Sequence, residues 1–212
     1  VVVVESFRTH AGRGVLDDLT DDGYLIESLE LSTLTLGGLR PRHAVPGDGH
    51  WEIAICSRLP IRARRDLPIG RIPRDAGGDR SALLCTIDVG GVDVDLVAVH
   101  VSSKIWKLAP MRHLRALRPQ LPARDRAAIV AGDFNLWGPG VVTVLPGWRR
   151  AVRGRTYPAH RPHSQIDHIL VRDGITVLSG EVLAPTPSDH RPVRAHLRVQ
   201  PHPNPEGAGT VG

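Results

Sequence analysis

A chain of 212 residues, 41% apolar and 23% charged, has room for one domain with a sizeable core. No apolar run approaches the roughly 20 residues that a membrane-spanning helix needs, so no transmembrane segment is expected. The formal net charge is +5, and of the 27 basic side chains only Lys104 and Lys107 are lysine. Arginine binds phosphate bidentately, so the excess permits a phosphorylated or polyanionic partner. A genome-wide preference for arginine codons would produce the same bias and accounts for most of it.

Taken in order, Val1 to Val4 are a β-branched run expected to form a strand buried on both faces and ending at Glu5. Gly12 to Thr20 reads as a short helix closed by Gly23. Leu29 to Leu36 alternates as a strand does, and Gly37 to His50 is a long Gly/Pro-rich loop. Trp51 to Ser57 is a strand. Asp66 to Asp79, with two prolines and three glycines, is expected to be irregular. Ser81 to Val89 and Val92 to Val101 form a hairpin about Gly90-Gly91, and the second strand, apolar on both faces, is central.

Pro110 and Pro119 bracket a helix over Ala109 to Arg118. Met111, Leu114 and Leu117 form its apolar stripe, and Arg112, Arg115 and Arg118 a solvated basic one. Ala127 to Gly132 is a buried strand leading into Asp133. Gln165 to Arg172 and Ile175 to Leu183 read as a second hairpin about Asp173-Gly174. Val193, Ala195, Leu197 and Val199 alternate with polar residues as a half-buried strand. Residues 1–200 are thus expected to form the domain, and the Pro/Gly-rich residues 201–212 a disordered tail. Cys56 and Cys85 fall in apolar runs, as core residues rather than a disulfide or metal cluster. No signal peptide is visible, which favours a cytoplasmic location. The chain opens at Val1 without a methionine, so that absence carries little weight.

Chemistry-bearing residues recur at strand ends: Glu5, His100, Asp133 with Asn135, Asp167, and Asp189 with His190. The last pair lies in Pro187-Ser-Asp-His-Arg-Pro-Val193. Its two prolines mark a loop, where adjacent side chains can serve one site as they could not in a ladder. One such residue is an ordinary turn or a satisfied histidine; five recurrences are harder to dismiss.

Gly132-Asp-Phe-Asn135, Gln165-Ile-Asp-His-Ile-Leu-Val171 and Ser188-Asp-His-Arg-Pro-Val193, in this order, resemble the endonuclease/exonuclease/phosphatase superfamily, the group of deoxyribonuclease I and exonuclease III. Val1-Val-Val-Val-Glu5, with Val4 where that group usually has Gln, is similar to its glutamate strand. Ile55-Cys-Ser-Arg-Leu-Pro-Ile61 and Val97-Ala-Val-His100 add to the match, which runs from about Val1 to Val199. The resemblance implies an α/β four-layer sandwich, two mixed β-sheets packed face to face and flanked by helices. It also implies a metal-dependent hydrolase of phosphate esters, with DNA or RNA among the possible substrates, acting as a monomer.

On that resemblance Glu5 and Asp189 are hard oxygen ligands for Mg²⁺, or Mn²⁺. His190 stabilises phosphoryl oxygens or exchanges a proton, and Asp167 holds its ring. Asp133 orients or deprotonates the attacking water, and whether it or His190 is the base stays open. Asn135 donates to the developing oxyanion, and His100 contacts the phosphate or assists the leaving group. A histidine at position 100, where apurinic endonucleases have a Tyr-containing motif, argues against abasic-site incision. Trp106 and Trp137 follow catalytic motifs; either could stack on a base or sugar, with core or rim packing the expected role.

The motifs of dinuclear metallophosphoesterases are absent, as are His-Glu-x-x-His and Cys-x-x-Cys zinc spacings. The non-enzymatic alternative is a catalytically impaired relative that binds nucleic acid or phospholipid head groups. The resemblance also implies a strand before Val1, ending in an Asn motif, so the chain is expected to be a fragment or a mis-called start.

Overall fold

The structure is a computed structural model, described here for residues 1–32, 49–75, 78–104, 108–172 and 174–200. Its strands are β1 (Val2–Thr9), β2 (Leu25–Ser32), β3 (Gly49–Ser57), β4 (Ile61–Arg71), β5 (Asp79–Val89), β6 (Val92–His100), β7 (Ala127–Asp133), β8 (Arg149–Arg150), β9 (Asp167–Val171), β10 (Ile175–Val182) and β11 (Val193–Val199). The α-helices are α1 (Asp17–Asp21), α2 (Ala109–Leu117) and α3 (Gly138–Val144).

Six strands make one mixed sheet in the order β4-β5-β6-β7-β9-β8, with β6 and β7 parallel. A three-stranded antiparallel sheet, β1-β3-β2, covers one of its faces. Leu31, Ile53 and Ile55 pack there against Leu83, Cys85, Leu96, Ala98 and Ala131. The antiparallel pair β10-β11 packs on the same face, because Ile129 and Ile169 touch both groups. On the opposite face Leu114 and Leu117 of α2 and Val141 and Val144 of α3 bury against Val97, Val99, Ala128 and Val130. Leu16 and Leu19 cover the outer side of the three-stranded sheet at Ala54 and Cys56. Helix, sheet, sheet, helix is the four-layer order expected. Alternation within each strand produces it: Leu96 and Ala98 of β6 face the inter-sheet core, and Val97 and Val99 face α2.

Other expectations are met or missed for identifiable reasons. Gly90 and Gly91, at φ 62° and 90°, turn the β5-β6 hairpin as anticipated. Cys56 and Cys85 are free and buried. The helix expected over Gly12 to Thr20 is a single turn, α1, closed by Gly23 at φ 79°. Arg112, Arg115 and Arg118 are exposed, as a solvated face should be.

Asp66 to Arg71 is not irregular but the second half of β4. That strand lies at the sheet edge, so Pro68 removes no second ladder, and a register slip between Pro68 and Gly70 accommodates it. Leu67 and Ile69 still alternate inward. The second hairpin does not form. β9 belongs to the six-stranded sheet while β10 pairs with β11, so the chain changes sheets after Val171. Nor is β1 buried on both faces. Its sole strand partner among the described residues is β3, Val1 is exposed, and the strand continues past Glu5 to Thr9. The remainder of the Leu29–Leu36 strand, most of the 37–50 loop, and the 201–212 tail lie outside the described residues.

Candidate active site

Register brings the first residues together. His100 is the Cα partner of Asp133 across β6-β7, and Asp133 is the partner of Asp167 across β7-β9. The three therefore stand side by side at one end of the large sheet. Each has the parity of inward-facing neighbours (Leu96 and Ala98, Ile129 and Ala131, Ile169), so all three point between the sheets. Gly132 permits this row. Its φ is 135°, and a Cβ built there would lie 2.1 Å from the Val99 carbonyl oxygen, so no side chain fits without parting β6 from β7.

Beyond Asp133 the chain is pinned rather than loose. Phe134 is fully buried in the helix-side core, and its N–H donates to the Ile166 carbonyl at 2.9 Å. Asn135 adopts φ 44°, a left-handed conformation that asparagine tolerates better than most residues. Its backbone N–H donates to Asp133 Oδ1 at 2.7 Å, and its Nδ2 to Asp133 Oδ2 at 2.9 Å and the Val101 carbonyl at 3.1 Å. Both side-chain amide hydrogens are thus engaged, one on Asp133 and one on the Val101 carbonyl, and donation to an oxyanion would replace one of them. Beneath, fully buried His168 shares a 3.0 Å hydrogen bond with the Leu136 carbonyl.

His190 arrives from the 187–191 loop. Its Nδ1 lies 2.9 and 3.1 Å from the two carboxylate oxygens of Asp167. The Ser188 hydroxyl accepts the His190 backbone N–H at 3.1 Å and shapes the turn. The ligating atoms of Asp133, Asp167 and His190 all lie within 4.8 Å of one another. Tyr157, a residue with no signal in the hydrophobic pattern, packs its ring on His190 with centroids 4.8 Å apart. Thr156 beside it is fully buried, and its hydroxyl accepts the Asp167 N–H at 3.3 Å.

Glu5 reaches the same place by a different device. The β1-β3 register slips between Val3 and Ser6, and Glu5 sits in the slip at φ 56°. The bulge turns its carboxylate to 3.6 Å from His100 Nε2, which is itself 3.8 Å from Asp133 Oδ2. Glu5 is therefore within a strand, not at its end, and the bulge does what a strand end would have done.

Burial sets the electrostatics. Asp133, almost entirely desolvated and beside Asp167, has its carboxyl pushed up to about 7. Burial alone would lower His190. The hydrogen bond and charge of Asp167, with Asp133 and Asp189 nearby, outweigh it and raise the imidazole to about 9. Burial and the neighbouring Arg80 guanidinium push His100 down to about 3, leaving it neutral; Arg80 also donates to its carbonyl at 3.1 Å. Glu5 is raised by partial desolvation and by Asp189, although 63% of its side chain remains open to solvent.

The seven acidic, amide and imidazole candidates from the sequence are accordingly in or beside one group. Glu5, His100, Asp133, Asn135, Asp167 and His190 are linked by the contacts above, and Asp189 acts on Glu5 and His190 electrostatically. Trp137 is 65% exposed, which excludes core packing for it; Trp106 lies outside the described residues. Thr156, Tyr157 and Arg80 were not legible, because none belongs to a motif or a periodic run.

Solved structures share this fold. A Beutenbergia cavernae endonuclease/exonuclease/phosphatase is 23% identical, with a TM-score of 0.69 over 96% of this chain and 63% of that one. A Bacteroides thetaiotaomicron mannosyl-6-phosphatase is 18% identical, with a TM-score of 0.63 over 86% and 80%. D. rerio TDP2 complexed with a single-strand DNA product is 17% identical, with a TM-score of 0.65 over 93% and 86%. A search of curated proteins finds no match. The family profile described as Endonuclease/Exonuclease/phosphatase family matches residues 9–190, which take in the first two motifs and the third as far as His190, and the chain belongs to that family.

Proposed function

We propose that the protein is a divalent-metal-dependent phosphoesterase in which Asp133 activates the attacking water and His190 steadies the phosphoryl oxygens. The observation that supports this most is the opposed tuning of two groups whose ligating atoms lie within 4.8 Å. A carboxyl near 7 can take a proton from water at neutral pH, and an imidazole near 9 is a cation there. This favours Asp133 over His190 as the base. Asn135 holds the Asp133 carboxylate in place, and Asp167 orients the His190 ring. Neutral His100, between Glu5 and Asp133, is suited to donate a hydrogen bond to the phosphate or leaving oxygen.

The donor set fits a hard cation. Glu5 is held in a left-handed bulge with its carboxylate in the opening, and Asp189 raises its proton affinity. The charge of Asp189 acts on Glu5 at this opening, and a bound cation would neutralise both carboxylates. Oxygen ligands of this kind suit Mg²⁺ or Mn²⁺. Glu5 and Asp189 would hold the ion, which when bound supplies charge neutralisation at the phosphoryl oxygens.

The test is a substrate panel with Mg²⁺: plasmid DNA, abasic DNA, nucleotides, inositol phosphates, sugar phosphates and sphingomyelin. At least one phosphate ester is expected to turn over, with activity lost in EDTA and restored by Mg²⁺ or Mn²⁺. Full activity after metal stripping in excess EDTA would overturn the metal dependence. Abasic DNA is expected not to be the preferred substrate, because His100 occupies the place of the tyrosine-type motif. Abasic DNA cleaved far faster than every other panel member would refute that.

A further inference from the structure

The two histidines of the site are held in different ways. The His190 ring is fixed through Nδ1 by Asp167. His100 Nδ1 is buried and makes no hydrogen bond among the described residues, so the place of this ring depends on the backbone that carries it. That backbone is leaving its ladders. The β5-β6 pairing ends at Leu83–Ala98, and His100–Asp133 is the last pair of β6 with β7. Val101 and Ser102 beyond it are fully buried, so their polar backbone groups need partners within the protein. Side chains supply three of them. Arg80 Nη1 donates to the His100 carbonyl at 3.1 Å and Asn135 Nδ2 to the Val101 carbonyl at 3.1 Å. The Ser102 N–H donates to His113 Nδ1 at 3.2 Å.

Two of these side chains are costly where they stand. Ala109, His113 and Leu117 recur every four residues on the buried face of α2, so a core position suited to leucine carries an imidazole. His113 is pushed down to about 4, by burial first and then by the Arg80 charge, and is neutral. A backbone N–H can only donate, so Nδ1 is the acceptor and the ring proton sits on Nε2. Arg80 is also buried, and its Nε lies 3.4 Å from Oδ2 of the equally buried Asp75. A buried ion pair contributes little net stability, because desolvating both charges offsets their attraction. Folding alone therefore does not account for the pair. Arg80 and Asp75 act with opposite sign on His100 and His113 alike, which places all four side chains in one neighbourhood.

We infer that His113 and the Asp75–Arg80 pair are positioning residues for His100, holding the backbone of residues 100–102 so that His100 Nε2 faces Glu5 and Asp133. Nε2 lies 3.6 Å from Glu5 Oε1 and 3.8 Å from Asp133 Oδ2, in the opening where the phosphate would sit. The inference rests on the phosphoesterase reading, in which His100 donates to the phosphate or leaving oxygen. Misplacing such a group by about 1 Å costs on the order of 10²-fold in rate. His113, Arg80 and Asp75 act through His100 and not by touching substrate.

The experiment is a double-mutant cycle against His100→Ala, run with Mg²⁺ on whichever panel substrate turns over. His113→Leu removes the acceptor and keeps the core position apolar. His113→Asn restores an oxygen that can accept from the Ser102 N–H. Asp75→Asn/Arg80→Met removes both charges together, so neither is left buried alone, and it should melt at about the wild-type temperature. In the wild-type background His113→Leu and the charge-pair variant should each lower kcat by about 10–100-fold, with KM within about twofold. His113→Asn should recover most of the loss. In the His100→Ala background none should lower kcat by more than about a further twofold. A second readout needs no turnover: side-chain ¹H–¹⁵N NMR should show the His113 proton on Nε2. The His100 ring nitrogens should shift in His113→Leu and in the charge-pair variant. Equal losses in both backgrounds, near-native kcat, His113→Asn no better than His113→Leu, or unmoved His100 resonances would each overturn the inference. If no panel substrate is hydrolysed the phosphoesterase reading falls, and the His100 resonances alone decide whether these residues hold the ring.

Discussion

Asp133→Ala and His190→Ala are each expected to lower kcat by on the order of 10²–10⁴, the range for a positioned acid–base group. Asp133→Asn is the sharper variant. It keeps one oxygen to accept from Asn135, whereas alanine removes the acceptor of the Asn135 N–H and one of the two acceptors of its Nδ2, and it removes the proton-accepting carboxylate. Combining it with His190→Ala should cost little more than either alone, since the two act in one step. The pH profile separates their roles. Asp133 must be ionised to take a proton from water, so kcat/KM should rise as pH passes through about 7. His190 must stay charged to steady the phosphoryl oxygens, so activity should fall as pH passes through about 9. Near-native kcat in Asp133→Asn, or an acid limb persisting near 7 in whatever activity remains, would remove Asp133 from the mechanism. Neither variant should unfold the protein, which circular dichroism checks.

Gly132→Ala is expected to be the most destabilising single substitution at the site, although it adds only a methyl group. Two penalties combine: φ 135° is closed to residues with a Cβ, and that Cβ would lie 2.1 Å from a backbone oxygen of the adjacent central strand. Backbone strain of this kind costs about 1–3 kcal/mol, and parting the β6-β7 ladder adds to it. A loss above about 3 kcal/mol corresponds to a fall in Tm of roughly 6–12 °C for a domain of this size. Gly90→Ala is the control, because its φ of 62° is also positive but nothing lies within 4 Å of the added carbon. It should lose roughly 1 kcal/mol from strain alone. Equal melting temperatures for the two variants would show that close approach of β6 and β7 is not what position 132 requires. Gly132→Ala should also reduce activity in whatever fraction folds, since it shifts Asp133 away from its partners His100 and Asp167.

The candidate site was legible in outline because its residues carry two local signals at once. His100, Asp133 and Asp167 interrupt apolar runs with a group that costs free energy to bury, so each stands out within its own strand. Their inward parity could also be counted, since Ala131 is two residues before Asp133 and Ile169 two residues after Asp167. The exchange of partners after Val171 was not legible. Ile175 to Leu183 alternates acceptably whether it pairs with β9 or with β11, and a short link containing Asp173-Gly174 carries the signature of a hairpin turn. Burial across sheets decided between them: Val177, Ala195 and Leu197 pack against Val94, Ala127 and Val171 of the large sheet. Pro68 misled in the opposite sense, since proline argues against a strand unless the strand is at an edge, and strand order is not written locally.

By itself the sequence determined which segments alternate or bury, and that an ionisable group interrupts or follows several of them, because both follow from side-chain type and period within a few residues. Phosphate-ester chemistry is what the resemblance carried by the three motifs implies. Only the tertiary structure decided that His100, Asp133 and Asp167 stand in one row, because register is set by long-range pairing and by the close approach that Gly132 allows. It likewise decided that a bulge aims Glu5, that Tyr157 lies on His190, and that His113 of α2 meets the backbone beyond His100. The ionisation of the site belongs to the same class. Asp133 and His190 begin as an ordinary carboxylic acid and an ordinary imidazole, and desolvation and neighbouring charge, which exist only once distant strands meet, move them to about 7 and about 9.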